Sequence, residues 1–185
     1  MDVQRIVIIP GNGCTSTSSL FNANWYGWLH SELNKIDNVE CILKLMPDPV
    51  VARESIWLPY MHDELLCDEN TIILGHSSGA EAAMRYAEKY QVKGIIVVSP
   101  CVTDLGMANE AASGYYNHPW LWDQMKSNTK FITVIGSSDD PFIPWAEMQQ
   151  VIDNLQPECH RFDDKGHFQY SQVPEILEAV KTRLS

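Results

Sequence analysis

The sequence predicts one α/β domain, a mostly parallel sheet of about six strands flanked by helices. Three observations predict it. Short β-branched runs alternate with stretches of helical spacing from Arg5 to Leu184. The 185 residues contain no repeat, low-complexity tract or linker, so residues 1–185 read as a single domain. The balance of 45 % hydrophobic to 20 % charged residues suits a folded core, and a chain of this size buries roughly 70 % of its unfolded surface.

Arg5 to Ile9 is a β-branched run stopped by Pro10, Gly11 and Gly13. Trp25, Trp28, Leu29, Glu32, Leu33 and Ile36 then carry the three-four spacing of an amphipathic helix. Val39 to Leu45 is the second strand, followed by Pro47 and Pro49 and by helical stretches over Ala52 to Leu58 and Pro59 to Leu66, the proline starting the latter. Thr71 to Leu74 is the third strand, Ser78 to Tyr90 a helix, Gly94 to Ser99 the fourth strand and Phe131 to Ile135 the fifth. Pro144 to Leu155 is helical, Glu158 to Phe162 is the sixth strand, and Pro174 to Leu184 closes the chain as a helix. The stretch 100–130 is longer than one crossover needs. It carries Tyr115, Tyr116, His118, Trp120 and Trp122, and either forms a small lid over a pocket or covers the core.

Charge and cysteine usage narrow the function classes. With 24 acidic and 13 basic residues the formal charge is −11, and the bases are scattered singly, so nucleic-acid binding is not expected. The longest apolar runs are four residues, far short of the roughly 20 a membrane helix needs. Neither a membrane span nor a secretory signal is expected. Five widely spaced cysteines without a C-x-x-C pair suggest reduced thiols rather than a disulfide framework or a zinc site. No H-E-x-x-H or closely spaced histidine pair occurs, so no metal is expected. The expected location is the cytoplasm, with the nucleus left open.

Chemistry concentrates after the third strand, where Gly75-His76-Ser77-Ser78-Gly79 matches G-x-S-x-G. By composition alone such a match recurs in roughly 6 % of chains this long, so the context decides. A β-branched strand before it and an alanine-rich helix after it provide the sharp turn of a nucleophile elbow, in which glycines prevent clashes and the helix N-terminus favours developing negative charge. The competing reading is a serine-rich helix cap.

A serine nucleophile requires a histidine base and a carboxylate that orients it. His167 stands on the loop after a late strand, preceded by glycine. His76 lies on the elbow itself, where its side chain should diverge; His160 lies in a strand, His30 and His62 on helices, and His118 in the 100–130 stretch. The fifth strand runs into Ser138-Asp139-Asp140-Pro141-Phe142. Either aspartate could serve, and the extended backbone imposed before proline favours Asp140. The chain order Ser, Asp, His is that of an α/β-hydrolase sheet.

An oxyanion needs two N–H donors. One is Ser78, the residue after the nucleophile. The second should come from Pro10-Gly11-Asn12-Gly13, with Asn12 as the donor. A nucleotide loop is not expected at that turn, because Ser16 occupies the third glycine position of G-x-G-x-x-G.

Together with Ala52-Arg53-Glu54-Ser55-Ile56-Trp57-Leu58-Pro59, Ala112-Ser113-Gly114-Tyr115 and Gly166-His167-Phe168, these motifs resemble the retinoblastoma-binding protein 9 family of small serine hydrolases almost end to end. The resemblance implies an α/β-hydrolase fold without a large cap domain, a triad of Ser77, Asp140 and His167, and no cofactor. It also implies small ester or amide substrates, aminoacyl or aromatic ones among them, with Trp57, Tyr115, Trp120, Phe142 and Phe168 as candidate pocket walls. One departure is Cys14-Thr15-Ser16-Thr17-Ser18-Ser19, where a more glycine-rich loop is expected, leaving the second oxyanion donor open.

The family takes its name from the pocket-protein motif L-x-C-x-E, and Leu65-Leu66-Cys67-Asp68-Glu69 matches it. The alternative function is therefore an interaction protein that binds a retinoblastoma-type pocket protein through Leu65, Cys67 and Glu69. Such motifs bind as exposed extended segments, whereas Leu65 and Cys67 end a predicted helix and should face the core.

Overall fold

The computed structural model describes residues 3–184. The first half comprises β1 (Gln4–Ile9), α1 (Thr17–Asn22), α2 (Tyr26–Leu33), β2 (Val39–Leu43), α3 (Glu54–Asp63), β3 (Thr71–His76) and α4 (Ser78–Lys89). The second comprises β4 (Val92–Val98), α5 (Ala108–Ser113), α6 (Trp122–Asn128), β5 (Thr129–Ser137), α7 (Trp145–Leu155), β6 (Glu158–Phe162) and α8 (Pro174–Lys181). All six strands pair in parallel, in the order β2-β1-β3-β4-β5-β6. The single α/β domain expected from the alternation of strands and helices is thus the observed one.

Alternation along each strand divides the core in two, because successive side chains leave a strand on opposite faces. Val7, Ile9, Ile73, Ile95, Val97 and Val134 pack under α3, α4, α6 and α7, together with Trp57, Met61, Ala83, Met125 and Val151. Ile6, Ile8, Ile72, Leu74, Ile96 and Val98 face the other way, against Leu20, Leu29, Leu33, Ile176 and Val180 of α1, α2 and α8. Helix α4 is buried along eleven residues, Ser78 to Glu88, which explains its alanine content: small side chains let it lie directly on the sheet.

One local expectation is corrected, and two stretches gain detail. In the serine-rich stretch after Gly13, Ser16 and Ser19 form a capping box that starts α1. The two helical stretches around Pro59 are one helix, α3, with the proline inside it. Pro59 is exposed there, so water can satisfy the carbonyl that lacks an amide partner. The 100–130 stretch carries two short helices, α5 and α6.

That stretch is held down by a buried cation. Arg85 of α4 is fully buried; it pairs with Glu88 and donates to the carbonyls of Tyr115, His118 and Pro119. The Trp120 ring lies 3.6 Å from its guanidinium carbon, and the Trp120 indole N–H donates to the Val102 carbonyl.

The strand order places β1 beside β3, with Ile9 opposite Gly75. The chain leaves β1 toward α1 and α2 on one face and leaves β3 toward α4 on the other. The loops therefore part at the carboxyl ends of these two strands, which is where ligands bind in sheets of this kind.

Candidate active site

Ser77 occupies this parting point. It follows β3 directly, its N–H donates to the Val98 carbonyl of β4 at 2.9 Å, and its backbone sits at φ 55°, ψ −122°. An L-residue held there stores strain of about 1–3 kcal/mol. The turn is possible because nothing larger than hydrogen fits beside it. A Cβ at Gly75 would lie 2.0 Å from the Gly79 carbonyl oxygen, and one at Gly79 would lie 2.1 Å from the Ile9 oxygen. These two contacts press α4 against β3 and β1 and drive Ser77 into the cavity beyond the sheet.

His167 reaches the same cavity from the loop after β6. Its Nδ1–H donates to Asp140 Oδ2 at 2.7 Å, with the Asp140 side chain fully buried. Asp140 Oδ1 accepts the N–H groups of Phe142 and Ile143, each at 2.9 Å. Burial pushes the Asp140 carboxyl up, but the His167 bond and charge and the two amides outweigh it and hold the group below the usual carboxylate range. Asp140 therefore stays a carboxylate, and the His167 nitrogen that faces it, Nδ1, carries the hydrogen.

Asp139 is exposed yet engaged: its Oδ1 accepts the Gly166 N–H at 2.8 Å, and it also accepts from the Ser137 hydroxyl. Those bonds hold its carboxyl below the ordinary range as well.

The two candidate oxyanion donors are placed at the first turn of α4, which holds Ser78, and at the turn after β1, which holds Asn12. Gly11 packs against Ser77, where an added Cβ would sit 3.4 Å from the serine Cβ. Its N–H donates to the Tyr26 hydroxyl at 3.0 Å, and the Gly13 N–H donates to the Pro49 carbonyl at 2.7 Å. Of this turn's amides, that of Asn12 is the one not spent in either bond. The Asn12 side chain donates to Glu110 Oε1 at 3.0 Å.

Ser77, Asn12 and His167 line a cavity of about 250 Å³, with Glu81, Cys101, Leu105, Met107, Glu110, Tyr116, Phe142 and Ile143 among its walls. Burial raises the Glu110 carboxyl against the opposing bonds from Asn12 and Tyr116, and raises Glu81 further. Of the five aromatics expected as walls, the structure brings only Phe142 to the cavity, edge-on to the His167 ring with centroids 5.2 Å apart. Trp57, Tyr115 and Phe168 are fully buried in the two halves of the core. Trp120 covers Arg85 and stacks on Trp122. The reading of these tryptophans as core cover is the one the packing supports. Tyr116, one residue from the expected Tyr115, and Tyr26 are aromatic walls that sequence reasoning missed. Alternate orientation of neighbours in a short turn gives no signal to choose between Tyr115 and Tyr116.

The L-x-C-x-E segment is corrected as a docking element. Leu65 is 2 % and Cys67 4 % exposed, both packed in the core, and of the three motif side chains that of Glu69 alone is exposed. An extended partner-bound segment would need both side chains outside.

Among the described residues no group of acidic, histidine or cysteine side chains could hold a metal ion, and no helix is long and apolar enough to cross a membrane.

A family model described as serine hydrolase matches residues 6–185 of this chain. The chain is 50 % identical over 181 residues to "Serine hydrolase RBBP9" of Rattus norvegicus, covering 98 % of this chain and 96 % of that one. It is 28 % identical over 197 residues to "Putative hydrolase YdeN" of Bacillus subtilis, covering 98 % and 97 % of the two chains. The crystal structure of the ydeN gene product matches with a TM-score of 0.84 at 23 % identity, covering 98 % and 99 % of the two chains. Est1E from Butyrivibrio proteoclasticus matches with a TM-score of 0.72 at 16 % identity, covering 99 % of this chain and 87 % of that one. At these identities the two structural matches speak to fold alone.

Proposed function

The chain belongs to the serine hydrolase family, and from that premise we propose that it cleaves small carboxylic esters or amides through Ser77, His167 and Asp140. The observation that carries this reading is the 2.7 Å bond between His167 and a fully buried Asp140, at the cavity that a strained Ser77 also lines.

Ser77 Oγ attacks the carbonyl carbon while His167 Nε2 takes its proton, and the carbonyl π pair moves onto oxygen. The oxyanion accepts from the N–H groups of Ser78 and Asn12, a contribution of roughly 3 kcal/mol per donor in acyl transfer. Collapse of the intermediate expels the alcohol or amine, which receives the proton from His167. Water, deprotonated by the same imidazole, then releases the acid from the acyl-enzyme. Throughout, Asp140 stabilises the imidazolium without taking its proton. No cofactor enters the scheme.

The small cavity and its apolar walls Leu105, Met107, Phe142 and Ile143 suit a short or aromatic acyl group. Glu110 in the same wall, the less strongly raised of its two acids, suits a substrate with a free amine, as in an aminoacyl ester. All five cysteines are free thiols, which suits the reducing cytoplasm.

A fluorophosphonate probe tests the reaction type. Wild type should label stoichiometrically and Ser77→Ala not at all; labelling that persists in Ser77→Ala, or fails in folded wild type, overturns the reading.

A further inference from the structure

Ring atoms of two residues outside the reacting set connect both halves of the site. The Gly11 N–H donates to Tyr26 Oη at 3.0 Å, the Tyr26 hydroxyl lies 2.6 Å from His76 Nδ1, and His76 Nε2 lies 2.9 Å from the carbonyl oxygen of His167. The direction of every proton follows from the two ends. A backbone carbonyl only accepts, so His76 Nε2 must carry hydrogen; an amide only donates, so a lone pair of Tyr26 is occupied at Gly11. The tyrosine hydroxyl hydrogen therefore goes to Nδ1 of a neutral His76. Every group in the chain is satisfied, in one orientation, with no water needed.

Both rings are buried, Tyr26 at 1 % and His76 at 2 % exposure. The His76 ring lies 4.9 Å from that of His167, centroid to centroid, and 5.6 Å from the Trp25 ring. Gly11 packs on Ser77, and its neighbour Asn12 is the second oxyanion donor in the scheme above. His76 precedes Ser77 in sequence, so the chain of bonds runs from the oxyanion turn after β1, past the elbow after β3, to the base loop after β6.

We propose that Tyr26 and His76 are positioning residues that fix the oxyanion turn and the backbone of the base His167 at one spacing. The inference rests on the hydrolase reading and deepens it. Three loops from non-consecutive strands have to meet within a few tenths of an ångström of the reacting carbonyl, and a misplacement of about 1 Å can lower a rate roughly 100-fold. The two rings link the turn after β1 to the backbone of the base loop after β6. Burial also holds the His76 imidazole neutral, its pKa pushed down to about 3, so it neither competes as a base nor reverses the bonds on protonation.

The test uses the full chain carrying Tyr26→Phe, His76→Gln or both, with Leu29→Ala as a packing control on the same helix as Tyr26. p-Nitrophenyl acetate supplies kcat and KM, normalised to sites labelled by a fluorophosphonate. Expected are losses of about 10- to 100-fold in kcat with KM within about threefold, and a double variant no slower than the slower single one. Leu29→Ala, which only loosens the core, should keep wild-type kcat per labelled site. Wild-type kcat per labelled site in Tyr26→Phe, or additive losses in the double variant, overturns the proposal. A readout free of turnover separates its failure from that of the hydrolase reading: in NMR spectra, Tyr26→Phe should shift the Gly11 amide and the His167 amide and imidazole together. A Gly11 shift without any His167 response overturns the bridge even if hydrolysis is intact.

Discussion

Oδ1 of Asp139 accepts the Gly166 N–H at 2.8 Å, one residue before the imidazole that its neighbour Asp140 holds. Two adjacent carboxylates thus grip one loop at different places, Asp139 by its backbone and Asp140 by its ring. Both sit on the loop after a strand, so the residues themselves only favour Asp140, and the direction of each side chain separates their contacts. Asp140→Asn should leave His167 with the wrong tautomer and lower kcat by about 10³- to 10⁴-fold. Asp139→Asn, which keeps an acceptor oxygen for Gly166, should lower it less than about tenfold. Kinetics on one ester for both variants decides, and equal small losses would remove Asp140 from its assigned role.

Gly79 admits no side chain. Alanine there would place a methyl 2.1 Å from the Ile9 oxygen and 2.6 Å from that of Pro10, so α4 must lift from β1. Gly79→Ala should destabilise the fold by about 3 kcal/mol or more and abolish probe labelling of whatever remains folded. Denaturant unfolding together with labelling checks both, and a variant of wild-type stability would refute the close approach.

Acid should weaken the fold through His76. Burial is the main cause of its depressed pKa, the His167 charge adds to it, and the bond to the His167 carbonyl and the Asp140 charge oppose it. Above the ordinary pKa of 6.5, folded and unfolded chains are both neutral at this position and the full stability is present. Between 6.5 and about 3 the unfolded chain binds a proton that the folded one refuses, so stability falls by up to about 1.4 kcal/mol per pH unit. Urea unfolding from pH 7.5 to 5 should show a steeper decline in wild type than in His76→Gln. Equal slopes would mean that His76 titrates normally in the fold.

Arg85 is the site's hidden fastening. Arg85→Ala removes the partner of a buried Glu88 and the donor to three carbonyls, and should cost about 3–5 kcal/mol. Limited proteolysis should then cut within residues 104–122 before the rest of the chain. Cleavage spread evenly along the chain would show that this segment depends on nothing specific to Arg85.

The strands and the family were legible because they rest on local information. Runs such as Ile6 to Ile9 and Ile95 to Val98 are β-branched and apolar on both faces, as parallel strands must be, and the family read from the motifs is the family found. Ser77, Asp140 and His167 could be nominated for the same reason, since each follows a strand at the edge where such sheets bind. Of the cavity's expected aromatic walls only Phe142 was legible. Whether Tyr115 or Tyr116 faces inward depends on how Arg85, thirty residues earlier, folds the segment above it. The link between Tyr26 and His76 was not legible, because it arises from contacts 50 and 91 residues apart in sequence.

Arg85 holds the segment above the cavity through the carbonyl oxygens of Tyr115, His118 and Pro119, which every residue type possesses. The attachment is therefore indifferent to the side chains it secures. Leu105, Met107 and Tyr116 can be exchanged to reshape the cavity while the fastening stays as it is, and altered acyl preference should be reachable by substitution without loss of fold.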